Sequence, residues 1–329
     1  MRAVTIPAFG DAGVLRLAEC EVPEPGPGEI SIDVAFAGVN RAELLLRRGA
    51  VDVPLPCVPG IAVSGHVRAL GAGVEGLRAG QPVAALTIVG GGGYAEVAVV
   101  DARLVAALGQ PCSPDRLAAA AVLPGDTSTA ILVLQRVARL RAGESVLVHA
   151  AAGGVGSQLG QVARLLGARR VIGTVASARR LPAARAFGYD EVVVRERLAD
   201  RVAALTGGAG FDVIVDPAGG ATGRASYDAL ATGGRLVAMG DASDIVADLS
   251  ADELWRSGRS VVGFNLAVLA AHQPELAGDA LRRAVRALQD GELCIDVRDR
   301  IALERAADAH RLIEAGAGAR VVLAVGAAR

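Results

Sequence analysis

The sequence predicts an α/β chain in which a lobe of short strands is split around a doubly wound parallel sheet. Three observations predict it. Residues 1–115 carry short alternating runs punctuated by Gly and Pro, the pattern of half-buried strands joined by turns. After Ser113 the runs become more uniformly apolar and are separated by helical stretches, the alternation that builds a parallel sheet. Residues 143–167, GESVLVHAAAGGVGSQLGQVARLLG, join a buried strand, a glycine turn and a helix without interruption.

Taken in order, AVTIP and LRLAEC read as strands, PEPGPGE as a turn, and ISIDVAFAGVN as a longer strand. Residues 40–48, NRAELLLRR, form a helix-like insert. The Pro-rich PLPCVPG, the strand IAVSGHVRAL, the loop GAGVEGLRAGQPV and the strand of GGGGYAEVAVV follow. Ser113-Pro114-Asp115 starts a helix, with Ser as N-cap and Pro in the first position. Strands are then expected at 145–149, RRVIGTV, DEVVV, FDVIVDP, GRLVAMG and SVVGFNL. Two helical stretches, a strand at 294–297 and a last strand at 320–325 complete the chain, and the closing segment is expected to return to the first lobe.

The glycine turn points to a dinucleotide. Gly153 and Gly156 occupy the second and third glycine positions of G-x-G-x-x-G, with Ala151 in the first. The second glycine admits a pyrophosphate close to backbone, and the third lets the helix pack against the strand. From Val155 the apolar positions Leu159, Val162, Ala163 and Leu166 recur at helical spacing, so the helix N-terminus, with its unpaired N–H groups, faces the turn. Ala152, Gly153, Gly154, Val155 and Gly156 are therefore candidate cofactor residues. An acid about 20 residues past the fingerprint would hold the 2'-hydroxyl of NAD, but Ala176 and Ser177 stand there. Ser177, Arg179 and Arg180 suit a 2'-phosphate instead, which predicts NADPH.

Composition narrows the chemistry. All 34 basic side chains are arginine, so no lysine Schiff base or lysine general base is available. Cys20, Cys57, Cys112 and Cys294 form no C-x-x-C pair, and His66, His149, His272 and His310 show no metal-ligand spacing. They read as reduced structural thiols and dispersed histidines, and no metal site is expected. A net charge of -1 recommends neither nucleic acid nor an anionic membrane. With no continuous apolar run of spanning length and no signal-peptide layout at MRAVTIPAFG, the expectation is a cytoplasmic protein without a membrane partner.

AGVN (37–40), LPCVPGIAVSG (55–65), GGYAEVAVV (92–100), AAGGVG (151–156), FDVIVDPAGG (211–220), VVGFNL (261–266) and GARVVL (318–323) occur in this order. As a set they resemble the zinc-free medium-chain dehydrogenase/reductases of the quinone oxidoreductase (zeta-crystallin) type, over essentially the whole chain. The resemblance implies a GroES-like β-barrel lobe of residues 1–115 plus 266–329, a Rossmann domain of residues 116–265, an active cleft between them, and a homodimer. Zinc relatives place His-Glu directly after the Pro-Gly of the second motif, where this chain has Ile61 and Ala62. No four-cysteine lobe follows Tyr94.

By the same resemblance Asn40 matches an asparagine beside the nicotinamide, and Glu43 stands where relatives have Asp; both are candidate catalytic residues. Leu45 replaces a tyrosine common in the family, and Val194 replaces one that some members place beside the adenosine phosphate. Thr129, Phe264, Asn265, Leu266 and Arg320 match positions near the cofactor. Gly240 and Asp241 end a parallel strand, where ligands gather. The expectation is an NADPH-dependent reductase acting on a quinone. An enone or 2-enoyl thioester double-bond reductase is the alternative, with Glu43 or water as proton donor, and an NADPH-binding protein with little catalysis is a third. Without metal, lysine or the usual tyrosine, the protein contributes orientation and electrostatics while the cofactor supplies the hydride.

Overall fold

The Val- and Ile-rich runs after residue 144 pair side by side as a six-stranded parallel sheet in a computed structural model that describes residues 1–217, 222–239, 249–316 and 320–326. The strands Ser145–Val148, Arg170–Val175, Glu191–Val194, Phe211–Asp216, Leu230–Met239 and Ser260–Phe264 lie in the spatial order 3-2-1-4-5-6 when numbered along the chain. This is the Rossmann order, with the switch point at the first strand. Every residue of Ser145–Val148 is buried, which explains why that strand reads as a continuous apolar run. Leu159, Val162 and Ala163 on the following helix, Gly154–Leu165, are buried as their spacing predicts.

The other sheet has seven strands and mixed direction. Glu29–Val39 is its longest member and pairs with three neighbours, Ala62–Leu70, Val97–Asp101 and Arg320–Ala324. The closing segment does return to the first lobe, antiparallel to Glu29–Val39. The expected strand at 294–297 forms instead at Val297–Ala302. Its sequence, VRDRIA, puts Arg298 and Arg300 on the exposed side while Val297 and Ile301 face inward, so a charge-rich segment passes as a loop although its alternation has period two. GRLVAMG likewise sits in a longer strand that starts at Leu230.

The chain separates into two compact units, Met1–Ser128 with Leu266–Arg329, and Thr129–Asn265. The first crossing falls inside the helical run that begins at Pro114, later than the expected boundary at 115. Ser113 Oγ accepts the Arg116 N–H at 3.2 Å, the N-cap anticipated from the sequence. By length and composition, Pro114–Val137 could cross a membrane, but 94% of its most apolar window is buried within the protein, as in a core helix. Pro124 removes a helical donor and crowds the preceding turn; the chain widens to a π-helical turn at Leu123–Thr127.

Candidate functional site

In the unit Thr129–Asn265 the chain leaves the first strand through His149 and turns at Ala150, whose φ of 53° is in the left-handed region. A non-glycine residue there carries strain, a feature common at functional turns. A Cβ on Gly156 would lie 2.2 Å from Ala150 O, so that glycine is demanded by the helix packing against the turn. Gly153 differs. Its φ is -78°, open to any residue, and its Cβ would meet only Ala150 O, at 3.1 Å. The protein itself asks little of Gly153; a ligand lying on the turn would ask for it. Gly153 is the N-cap of Gly154–Leu165 and has no side chain to cap with, leaving the first N–H groups available to an anion.

His149 is structural. It is fully buried, its Nδ1 2.8 Å from Thr174 Oγ1 and its Nε2 2.8 Å from Ser226 Oγ. Because Ser226 donates its own proton to Thr222 O at 2.7 Å, it accepts from Nε2–H, and Thr174 donates to Nδ1. Burial holds the imidazole below its ordinary pKa, opposed by Asp216 and aided by the charge of Arg195. A neutral histidine fills both bonds.

At the carboxyl ends of the second and third strands, Ala150, Ala152, Thr174, Val175, Ala176, Arg180 and Arg195 line a pocket. Arg180 is half-buried there, whereas Arg179 is exposed and, like Ser177, absent from the lining. The expected trio is thus not brought together, and Arg195 is the residue that sequence reasoning missed. Its signal was its place directly after DEVVV, at the strand end where ligands gather. Thr129 is buried in the helix Ser128–Leu132, Phe264 is half-buried at the end of the sheet's edge strand, and Asn265 is exposed. Gly240 and Asp241 lie outside the described residues.

In the other unit Asn40 is the N-cap of Arg41–Arg47, and Glu43 reaches back to it. Glu43 Oε2 accepts from Asn40 N at 3.0 Å, and Oε1 accepts from Ile61 N at 3.0 Å and from Asn40 Nδ2 at 3.4 Å. Gly125, in the widened turn, would place a Cβ 3.0 Å from Asn40 Oδ1, so the asparagine amide lies against bare backbone. The expectation of Glu43 as a cleft carboxylate meets a different placement, because its side chain is 0% exposed. Burial raises its pKa to about 7 against the opposing hydrogen bonds from Ile61 and Asn40. Beyond it, buried Tyr94 has its hydroxyl 3.2 Å from His310 Nε2. Burial and the nearby Arg47 lower His310 to about 4, and Arg47 pairs with Glu314. Arg320, expected near a cofactor, is 4% exposed and donates from Nε to Asp296 O at 3.0 Å. Leu266 opens the helix Leu266–His272 and is half-buried.

Residues 26–110 match the alcohol dehydrogenase GroES-like domain, and residues 154–284 match the zinc-binding dehydrogenase domain. A quinone oxidoreductase of Pseudomonas aeruginosa is 33% identical over 314 residues, 94% of this chain and 94% of that protein. The chain belongs to the quinone oxidoreductase type of medium-chain dehydrogenase/reductase. This oxidoreductase is also 35% identical, over 74% of its length, to a probable quinone oxidoreductase of Schizosaccharomyces pombe, covering 72% of that protein. It superimposes with a TM-score of 0.87 on the Escherichia coli quinone oxidoreductase solved with NADPH, at 27% identity, covering 98% of this chain and 100% of that one. Directly after Pro59-Gly60 it has Ile61 and Ala62, neither of which carries a metal-donor side chain. Among the described residues no His, Cys, Asp and Glu side chains gather as a metal-binding group.

Proposed function

We propose that this oxidoreductase passes a hydride from NADPH to a quinone-like acceptor without a metal, as a cytoplasmic homodimer. The observation that carries the reading is its likeness to the Pseudomonas aeruginosa quinone oxidoreductase over 94% of both chains. The arginine-bearing pocket beside Ala176 supports NADPH as the donor. The edge strand Ser260–Phe264, paired on one side among the described residues, supports association of two copies.

NADPH supplies the hydride when bound; the chain's residues hold and orient. The N-terminus of Gly154–Leu165 offers N–H groups to the pyrophosphate, and Gly153 keeps side-chain atoms out of its way. Thr129, Phe264 and Asn265, in the same unit, are further cofactor contacts. Asn40 presents its amide to the acceptor. Glu43 is sealed from solvent, so it fixes Asn40 and the Ile61 backbone rather than delivering a proton, and water protonates the product. That favours a quinone, whose reduced oxygen is a stabilised phenolate, over an enone or 2-enoyl thioester, where carbon must receive a proton from a placed donor. Ile61 and Ala62 offer no ligand to a metal.

The test is turnover with NADPH against a panel of quinones and enones, alongside metal analysis of the purified protein. Quinone turnover unaffected by a chelator is the expected result. Preferred enone turnover, or a zinc equivalent whose removal abolishes activity, would overturn it.

A further inference from the structure

Arg195 is the first residue after the strand Glu191–Val194. The parallel register pairs Val194 with Val175, so Arg195 emerges beside Ala176, the position where an acid would select NAD. Arg180 enters the same pocket from the short turn Ala178–Arg180. Three alanines, a threonine and a valine make up the rest of the lining, with no carboxylate among them. At the far end of the neighbouring strand, Asp190 and Glu191 are engaged elsewhere, with Arg164 and Arg201.

Two guanidiniums gathered in one pocket repel each other. A phosphate monoester, with a charge of about -1.5 to -2 at neutral pH, reverses that balance and offers oxygens to both forks. We propose that Arg180 and Arg195 are the two arms that hold the 2'-phosphate of NADPH, and that Arg195, rather than Arg179, is the second specificity-determining cation. This rests on NADPH as the cofactor. NADH leaves that repulsion as it stands in the free protein, so only the 2'-phosphate gains from the pair, and the preference comes from favouring NADPH.

Calorimetric binding of 2',5'-ADP and 5'-AMP, and of NADPH and NADH, decides the assignment for wild type, Arg179→Ala, Arg180→Ala and Arg195→Ala at two ionic strengths. Arg195→Ala should weaken 2',5'-ADP and NADPH by about 10-fold to 30-fold, as expected for losing charged hydrogen bonds. Binding of 5'-AMP and NADH should stay within about 2-fold, and Arg179→Ala should leave all four ligands within that range. Where the alanine variant does not fold, as judged by lost 5'-AMP binding, Arg195→Gln keeps the stem, removes the charge and should give the same pattern. A preference for 2',5'-ADP that survives removal of the Arg195 charge, or that falls as far in Arg179→Ala, overturns the proposal and leaves NADPH as cofactor standing. A wild type that binds 2',5'-ADP no better than 5'-AMP overturns the cofactor reading itself.

Discussion

Glu43 shows how one buried carboxylate can tie together two segments distant in sequence. Its two oxygens receive three N–H groups from Asn40 and Ile61, so the Asn40 amide and the Ile61 backbone share one anchor. Burial makes that anchor pH-sensitive. Its folded pKa, about 7, lies above the unfolded value near 4.5, so between these values the folded state holds more protons and stability falls as pH rises. The loss is complete above the folded value and amounts to about 3 kcal/mol. Asp126, 6% exposed and also raised to about 7 by burial against the charge of Arg320, adds a slope of the same sign. Glu43→Gln should flatten its part of the profile, read from denaturation midpoints between pH 5 and 8, and cost about 1–3 kcal/mol because one N–H loses its acceptor. A wild-type slope in that variant would show that Glu43 does not titrate as assigned. Asn40→Ala should fold normally and lower kcat/KM by about 10-fold to 100-fold; unchanged kinetics would return Asn40 to capping alone. The resemblance pointed to Asn40 and Glu43 by position, and the structure adds that they form a capping box. Burial of the glutamate was not legible in the sequence, because Ile61, just before the strand Ala62–Leu70, closes on it from a distant part of the chain.

At the scale of elements, the turn 150–156 separates packing from binding within a few residues. Gly156→Ala drives a methyl to 2.2 Å from Ala150 O, and such overpacking should cost about 1–3 kcal/mol of stability and loosen the nucleotide as the turn shifts. Gly153→Ala places its methyl 3.1 Å from Ala150 O, a contact relieved by a shift of a few tenths of an ångström, so it should cost much less stability than Gly156→Ala yet weaken NADPH, because the methyl occupies the face where backbone would meet the pyrophosphate. Equal effects of the two variants on both measurements would refute that division. The glycine spacing and the strand-to-helix change were readable because each is local. The strand Val297–Ala302 was not, since one of its two arginines is held from afar: Arg300 pairs with Asp115 at 2.5 Å and lies over Phe36. The same holds for Arg195, whose meaning comes from the register of its strand against Arg170–Val175.

For the whole molecule, the decisive contacts join segments far apart in the chain. Arg320–Ala324 lies between Glu29–Val39, to which it is antiparallel, and Val297–Ala302, to which it is parallel. Val321, Val322 and Leu323 are buried. At about 1.5–3 kcal/mol for each buried side chain, these three contribute an amount comparable to the net stability of a domain, about 5–15 kcal/mol. The hydrophobic run VVL announces a buried strand, but its two partners emerge only when the sheet is assembled. The strands of the nucleotide-binding unit, by contrast, all lie between Ser145 and Phe264, and its pocket is lined entirely by residues from Ala150 to Arg195. Removing residues 320–329 should therefore open the mixed sheet and leave the parallel one intact. We expect the truncated chain to lose a large part of its cooperative unfolding signal and its Tyr94 environment, while 2',5'-ADP binding stays within about 3-fold of the full chain. A truncated protein with the full unfolding signal would show that the last strand contributes far less than its burial implies. One that keeps no nucleotide affinity would show that the Rossmann sheet depends on the lobe that closes around its ends in sequence.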